Sequence, residues 1–141
     1  MGSEMCIRDS LTEMARDADA LIVITPGGAA TQHLVNAEVM RALGPEGVLI
    51  NVARGSVVDE TALIAALQSG ELGAAGLDVF ENEPHIPQEL REMANVVVTP
   101  HVGSATVETR AAMAKLAVDN LLSHLKDGSV ISPVPEVQSL L

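Results

Sequence analysis

Residues 47–55, GVLINVARG, place an arginine directly after a short and continuous apolar run. A run of this kind is typical of a strand that is buried on both faces of a parallel sheet. Two further stretches repeat the arrangement. Residues 74–84, AAGLDVFENEP, put carboxylates after a weaker run, and residues 95–104, NVVVTPHVGS, put a histidine after a run of valines. The three stretches predict an α/β fold in which an arginine, a carboxylate and a histidine follow successive strands.

These three side chains have complementary chemistry. An arginine can bind a carboxylate through two parallel hydrogen bonds. A histidine that is oriented by a carboxylate can transfer a proton near neutral pH. Together the groups are suited to reducing a small 2-oxo acid, or to the reverse oxidation.

The rest of the chain has the alternation that a parallel sheet requires. Residues 20–25, ALIVIT, form another unbroken apolar run, and helical patterns fill the intervals between runs. Asn36 is expected to begin a short helix that ends at Leu43, and Asp59 to cap a helix that runs through Ser69. A last long helix is expected from about residue 105 to residue 125. This spacing predicts strand–helix–strand units.

The composition limits the classes of function. The 141 residues are 48% hydrophobic and 19% charged, which is typical of an ordered globular protein. The formal net charge is -11, and Phe80 is the only aromatic residue. Such a chain would repel phosphate backbones and could not stack bases, so we expect no nucleic-acid partner.

Cysteine and histidine give no metal or disulfide pattern. Cys6 is the single cysteine, and the four histidines lack the i,i+4 spacing of a helical zinc site, so no metal site is predicted. His33, His85 and His124 receive no role. Since the sequence has neither a visible secretory signal nor an apolar run long enough for a membrane span, we expect a cytoplasmic protein with no membrane partner.

At its three motifs the chain resembles the D-isomer-specific 2-hydroxyacid dehydrogenases, most closely their glyoxylate/hydroxypyruvate reductase branch. The resemblance extends from about residue 11 to residue 136. It rests on residues 49–60, LINVARGSVVDE, residues 76–84, GLDVFENEP, and residues 100–110, PHVGSATVETR. Three long motifs in family order make a chance match very improbable.

The resemblance implies three catalytic residues. Arg54 would bind the substrate carboxylate and polarise the 2-oxo group. His101 would donate a proton to the carbonyl oxygen, and Glu83, which precedes a proline, would hydrogen-bond that histidine in preference to Glu81. A carboxylate beside an imidazole favours its protonated form, which agrees with these roles.

The resemblance also implies a nicotinamide cofactor, NAD or NADP. Asp78 would hydrogen-bond the carboxamide of the nicotinamide. The remaining cofactor contacts would come from the loops that follow the strands, where open α/β sheets bind ligands. They are Thr25, Pro26, Thr31, Val52, Ala53, Arg54, His101, Gly103 and Ser104.

The implied fold is the later half of a Rossmann-type, doubly wound parallel sheet, followed by a C-terminal helix that returns to a missing substrate domain. Residues 1–10 look like a non-native leader. Residues 11–104 would form a partial NAD(P)-binding domain, and residues 105–141 the helix and tail of the substrate domain. The chain lacks the G-x-G-x-x-G phosphate loop that precedes these strands in the family, so we expect a C-terminal fragment with exposed apolar surface.

The expected function is NAD(P)H-dependent reduction of a small 2-oxo acid, of the glyoxylate or hydroxypyruvate type, to the D-2-hydroxy acid. The expected partners are this substrate and, in the full-length parent, a second copy in a homodimer. The alternative is a non-catalytic, corepressor-like module that binds a dinucleotide on the same scaffold. Relatives of that kind can keep all three catalytic residues, so the triad alone does not decide between the two.

Overall fold

A computed structural model describes residues 10–134. The predicted leader, apart from Ser10, and the end of the predicted tail from residue 135 lie outside the described residues. The chain divides into two compact units, Met1–Gly103 and Ser104–Leu141, which are taken separately below.

The first unit contains a four-stranded parallel sheet whose strands follow one another in chain order. The strands are β1 (Ala20–Val23), β2 (Val48–Asn51), β3 (Ala74–Leu77) and β4 (Val96–Val98). Their register places Val23, Asn51, Leu77 and Val98 side by side. The predicted parallel α/β sheet is therefore confirmed, and the loops that follow the four strands leave it from one common edge.

Helix α1 (Leu11–Arg16) precedes β1, and three helices connect the strands. They are α2 (Ala37–Leu43), α3 (Glu60–Ser69) and α4 (Gln88–Glu92), with single 3-10 turns at Ala29–Thr31 and Gly55–Val57. The predicted caps are present. The Asn36 side chain accepts from the backbone N–H groups of Glu38 and Val39, and Asp59 accepts from Ala62. Helices α1 and α4 were not predicted, because they are short and have little apolar periodicity.

The core lies on one face of the sheet. Leu21, Leu49 and Leu77 point into it and pack with buried residues of the helices, among them Met40 and Leu63. This arrangement follows from the topology, because right-handed crossovers that all advance in one direction place their helices on the same face.

The opposite face corrects the expectation that the strands are buried on both sides. Ile22 of β1 is 58% exposed and Val97 of β4 is 68% exposed, while Ile50 between them is half-buried. A continuous apolar run therefore identified the strands correctly, but it did not report how many of their faces are covered.

The second unit contains the long helix α5 (Val107–Asp127). It begins and ends two residues later than predicted, because Thr106 caps its first turn by accepting from the backbone N–H of Thr109 and Gly128 ends it at φ 80°. Its apolar side chains Met113, Leu121 and Leu125 are exposed. None of the helices within residues 10–134 combines the length and the apolar character that a membrane span requires.

Candidate active site

A cleft of about 970 Å³ opens at the edge of the sheet where the strands end. It is lined by loops that follow all four strands, and Arg54, Glu83 and His101 all contribute to its wall. Its lining residues are Ile24, Thr25, Pro26, Gly27, Gly28, Val52, Ala53, Arg54, Gly55, Ser56, Phe80, Glu81, Glu83 and His101. The three side chains that the sequence predicted as catalytic are thus brought to one site.

The loop that carries Arg54 is shaped by Asn51, the last residue of β2. Asn51 is only 1% exposed, and its side-chain amide is used twice. Its Oδ1 accepts from the backbone N–H of Ala53 at 3.1 Å, and its Nδ2 donates to the carbonyl of Arg54 at 3.1 Å. The guanidinium of Arg54 donates to the carbonyl of Ala53 at 2.6 Å. A buried polar side chain therefore fixes the turn that presents Arg54.

Gly55 brings this loop against the loop that follows β3. A side chain at Gly55 would collide with the backbone of Phe80 and Glu81. Only glycine permits so close an approach of two backbones. The approach brings the loop of Arg54 beside the loop of Glu83.

His101 and Glu83 form the central polar contact of the cleft. The Nδ1 of His101 lies 2.8 Å from Oε2 of Glu83, and the other carboxylate oxygen of Glu83 accepts from the backbone N–H of Phe80 at 3.0 Å. The hydrogen bond with His101 is the main reason why the pKa of Glu83 lies below its ordinary value of 4.5. The Phe80 N–H and the positive charge of Arg54 act in the same direction, against an opposing effect of burial. Glu83 is therefore a carboxylate at neutral pH, and it orients His101 so that Nε2 remains for a reacting group.

The backbone of His101 lies in the left-handed region at φ 54°, which costs free energy for a residue other than glycine. Asp78 supports this loop. Its carboxylate accepts hydrogen bonds from the hydroxyl of Thr99 and from the backbone N–H groups of Val102 and Gly103, the last two at 2.9 Å. Burial raises the pKa of Asp78, but these three donors and the nearby charge of His101 outweigh it, so that the pKa lies below its ordinary value. Asp78 thus holds the His101 loop against the end of β3.

The residues predicted to contact a cofactor divide into two sets. Thr25, Pro26, Val52 and Ala53 line the cleft together with Arg54 and His101. Thr31, Asp78 and Gly103 do not line it but hold loops that do: the Thr31 hydroxyl donates to the carbonyl of Pro26 at 2.7 Å, and Asp78 accepts from the backbone N–H of Gly103. Ser104 is the first residue of the second unit.

The cleft has features that fit part of a dinucleotide. The hydroxyl oxygen of Thr25 is buried and has no hydrogen-bond partner within the described residues, although it stands at the end of β1 beside the cleft. A buried hydroxyl of this kind calls for a polar ligand group. Gly27 and Gly28 leave the adjoining wall without side chains. These observations agree with a cofactor along the loop after β1.

Three residues to which the sequence assigned no role have contacts at this site. Asn51 was recognisable as a polar residue within a buried run. His33 and Glu81 were not: the Nε2 of His33 lies 2.7 Å from Oε1 of Glu81, across a separation in sequence that no local pattern reports. The interpretation of His33 as incidental is therefore incomplete.

Comparison with known proteins gives consistent matches. The family model for the NAD binding domain of the D-isomer specific 2-hydroxyacid dehydrogenases matches residues 2–103. The chain is 53% identical to glyoxylate/hydroxypyruvate reductase A of Arabidopsis thaliana and 52% identical to the hydroxyphenylpyruvate reductase of Plectranthus scutellarioides, each over 89% of this chain and 40% of the relative.

Among solved structures, a crystal structure of the NADPH-dependent glyoxylate/hydroxypyruvate reductase of Sinorhizobium meliloti, in complex with NADP and malonate, superposes with a TM-score of 0.88. That protein is 55% identical, and the match covers 92% of this chain and 40% of that chain. The chain thus spans about 40% of the length of the relatives that it matches. Because the family model covers well over half of the residues, the chain belongs to the D-isomer specific 2-hydroxyacid dehydrogenases.

Proposed function

We propose that the protein reduces a small 2-oxo acid to the D-2-hydroxy acid with NADH or NADPH. The observation that carries this proposal is the contact of 2.8 Å between His101 and Glu83 in the same cleft as Arg54. A proton donor and a cation beside it are the two protein groups that the reaction needs, since the hydride comes from the cofactor.

Each residue has a separate role. Arg54 binds the substrate carboxylate through its guanidinium and draws the adjacent 2-oxo oxygen toward His101. When hydride reaches C2, the Nε2–H of His101 donates its proton to the oxygen, and a hydroxyl group results. Glu83 keeps the His101 ring in place and compensates its positive charge before the transfer. Glu83 acts through His101 and is therefore a positioning residue.

The cofactor would lie along the loop after β1, with Thr25 and Pro26 beside it and Val52 and Ala53 toward the nicotinamide. When bound, the reduced nicotinamide supplies the hydride. Asp78 remains our candidate for binding the carboxamide. Its carboxylate already accepts three hydrogen bonds, and an ionised carboxylate can accept about four.

The proposed substrate is of the glyoxylate or hydroxypyruvate type. The support is that the relatives in Arabidopsis thaliana and Sinorhizobium meliloti are glyoxylate/hydroxypyruvate reductases and share more than half of their aligned residues with this chain. We also propose that residues 105–141 belong to a second, substrate-binding domain in the complete protein, that the complete protein is a homodimer, and that it works in the cytoplasm.

The test is the oxidation of NADH and NADPH, followed by absorbance, with glyoxylate and with hydroxypyruvate. It compares the complete protein that carries this sequence with its Arg54→Lys and His101→Asn variants. Lysine keeps the charge but cannot form the two parallel hydrogen bonds, and asparagine tolerates the left-handed backbone of His101. We expect turnover by the unchanged protein and a large loss in both variants. Dinucleotide binding without turnover of any 2-oxo acid would instead support the non-catalytic module.

A further inference from the structure

A second histidine–carboxylate pair stands at the rim of the cleft. His33, in the loop before α2, faces Glu81 with Nε2 at 2.7 Å from Oε1, and its Nδ1 lies 3.9 Å from the Asp59 carboxylate. Glu81 also lines the cleft. We propose that His33 is a positioning residue that holds the Glu81 carboxylate and, when its ring is protonated, compensates the charge of that carboxylate, so that the cleft accepts an anionic substrate. This inference rests on the proposed function.

The charges around the cleft explain why such a residue is needed. Arg54 is the cation that would bind a substrate carboxylate, and Glu83 is compensated by His101. Glu81 is a further carboxylate on the same wall, and its charge would repel an anionic 2-oxo acid and weaken the pull of Arg54. His33 is the group that contacts it. Both carboxylates of the cleft wall are thus hydrogen-bonded to a histidine, and Arg54 is the cation that can bind the anion.

Partial burial of the Glu81 side chain strengthens the repulsion between its carboxylate and an anionic substrate. The Glu81 side chain is only 27% exposed, so its charge is partly shielded from water. Glu81 also has an acidic neighbour, because its backbone N–H donates to Oε2 of Glu60 at 3.3 Å. Burial is the main cause that raises the pKa of Glu60; the Glu81 N–H opposes it, and the charge of Glu81 adds to it. His33 thus lies beside two carboxylates, Asp59 and Glu81, and Glu60 lies next to the second of them.

The position of His33 is fixed by its backbone. Its N–H donates to the carbonyl of Ser56 at 2.8 Å, just beyond Arg54, and its φ of 50° is left-handed. One residue thus contacts the Arg54 loop through its backbone and the Glu81 loop through its ring. Since asparagine also adopts this backbone conformation, His33→Asn removes the long ring without requiring a new backbone.

The test uses four forms of the complete protein: unchanged, His33→Asn, Glu81→Gln and the double variant. The first measurement is the dissociation constant of oxalate, an unreactive dianion that mimics the substrate, at low salt. We expect His33→Asn to weaken oxalate binding about tenfold, and the added Glu81→Gln to restore most of it, because the uncompensated charge is then gone. Half-molar NaCl should shrink the difference, since salt screens the repulsion.

The second measurement is steady-state reduction of hydroxypyruvate. The expected change in His33→Asn is in KM, with kcat within about twofold of the unchanged protein. His85→Asn, an exposed histidine outside this cluster, is the matched control and should alter neither constant.

If His33 only held the Arg54 loop and the Glu81 loop together, oxalate binding by the four forms would differ from this expectation. Failure of Glu81→Gln to restore oxalate binding in the His33→Asn background, or a loss that is insensitive to salt, would overturn the inference. Oxalate binding does not depend on turnover. Absence of turnover in the unchanged protein would therefore contradict the proposed function while the role of His33 is still decided by the oxalate measurements.

Discussion

Two histidines in this molecule pair with carboxylates of the same loop, and we propose different roles for them. His101 contacts Glu83 at 2.8 Å and His33 contacts Glu81 at 2.7 Å, and both backbones are left-handed. His101 presents Nδ1 to its partner, so Nε2 is available to the cleft. His33 presents Nε2 to Glu81 and turns Nδ1 toward Asp59. The nitrogen that remains available therefore distinguishes the proposed proton donor, His101, from His33, which we propose compensates a charge.

The largest expected effect separates the two histidines directly. His101→Asn should lower kcat for 2-oxo acid reduction by about 10²–10⁴-fold, since the general acid is lost while the backbone conformation is tolerated. The same substitution at His33 should leave kcat within about twofold. Steady-state kinetics of the two variants side by side measures the contrast. Equal losses of kcat would mean that the two histidines do not differ in role.

A smaller effect is expected at the partner of His101. Glu83→Gln keeps the shape of the side chain but removes the charge, and we expect kcat to fall by about 10–10²-fold, less than for His101→Asn. Glu81→Gln is the matched control in the same loop and should not lower kcat. A Glu83→Gln enzyme with unchanged kcat at neutral pH would show that the carboxylate does not assist His101.

A fall in pH should weaken the contacts by which the Asp78 and Glu83 carboxylates hold the loop and the ring of His101. The pKa values of Asp78 and Glu83 lie below their ordinary values of 3.8 and 4.5, so both groups stabilise the folded state above those values. That stability is lost as the pH falls through the lowered pKa values. Asp78→Asn, which turns an amide toward backbone donors, should cost about 2 kcal/mol of unfolding free energy at pH 7. Denaturant unfolding of both forms should show this difference closing below about pH 3.8, and a constant difference would contradict the assignment.

The smallest effect concerns the second carboxylate beside His33. Asp59→Asn keeps an oxygen that can cap α3 and removes a charge 3.9 Å from Nδ1. Because the pair is long and its side chains are partly exposed, we expect less than a twofold change in KM for hydroxypyruvate. A change in KM as large as that of His33→Asn would mean that Asp59, and not Glu81, is the main partner of His33.

The sequence was most informative where structure is determined locally. Asp59 caps α3 and the helix runs through Ser69 as predicted, because both ends of a helix depend on neighbouring residues alone. The apolar runs located all four strands, although each strand is shorter than its run. Exposed apolar surface was expected, but its location at Ile22 and Val97 was not predictable, since it depends on which face the helices cover.

In the site too, features that depend on local sequence were predictable and contacts between distant loops were not. Arg54, Glu83 and His101 were named from motifs, and the structure brings them to one cleft because the strand ends are level. Their individual roles remain predictions for the kinetic tests. Asn51 shapes the Arg54 turn through contacts within three residues, yet it was read only as part of a strand. The pair of His33 and Glu81 needs the folded chain, because two loops far apart in sequence must first meet.

The order of the strands has a consequence for how the first unit can form. Each strand pairs with the strand that comes next in the chain, from β1 to β4, so every step of sheet assembly closes only one strand–helix–strand loop. Short loops cost less chain entropy to close than long ones, and topologies rich in such contacts fold faster. The sheet can thus grow by adding one unit at a time, and the cleft becomes complete only with the last addition, when the loop of His101 reaches Glu83.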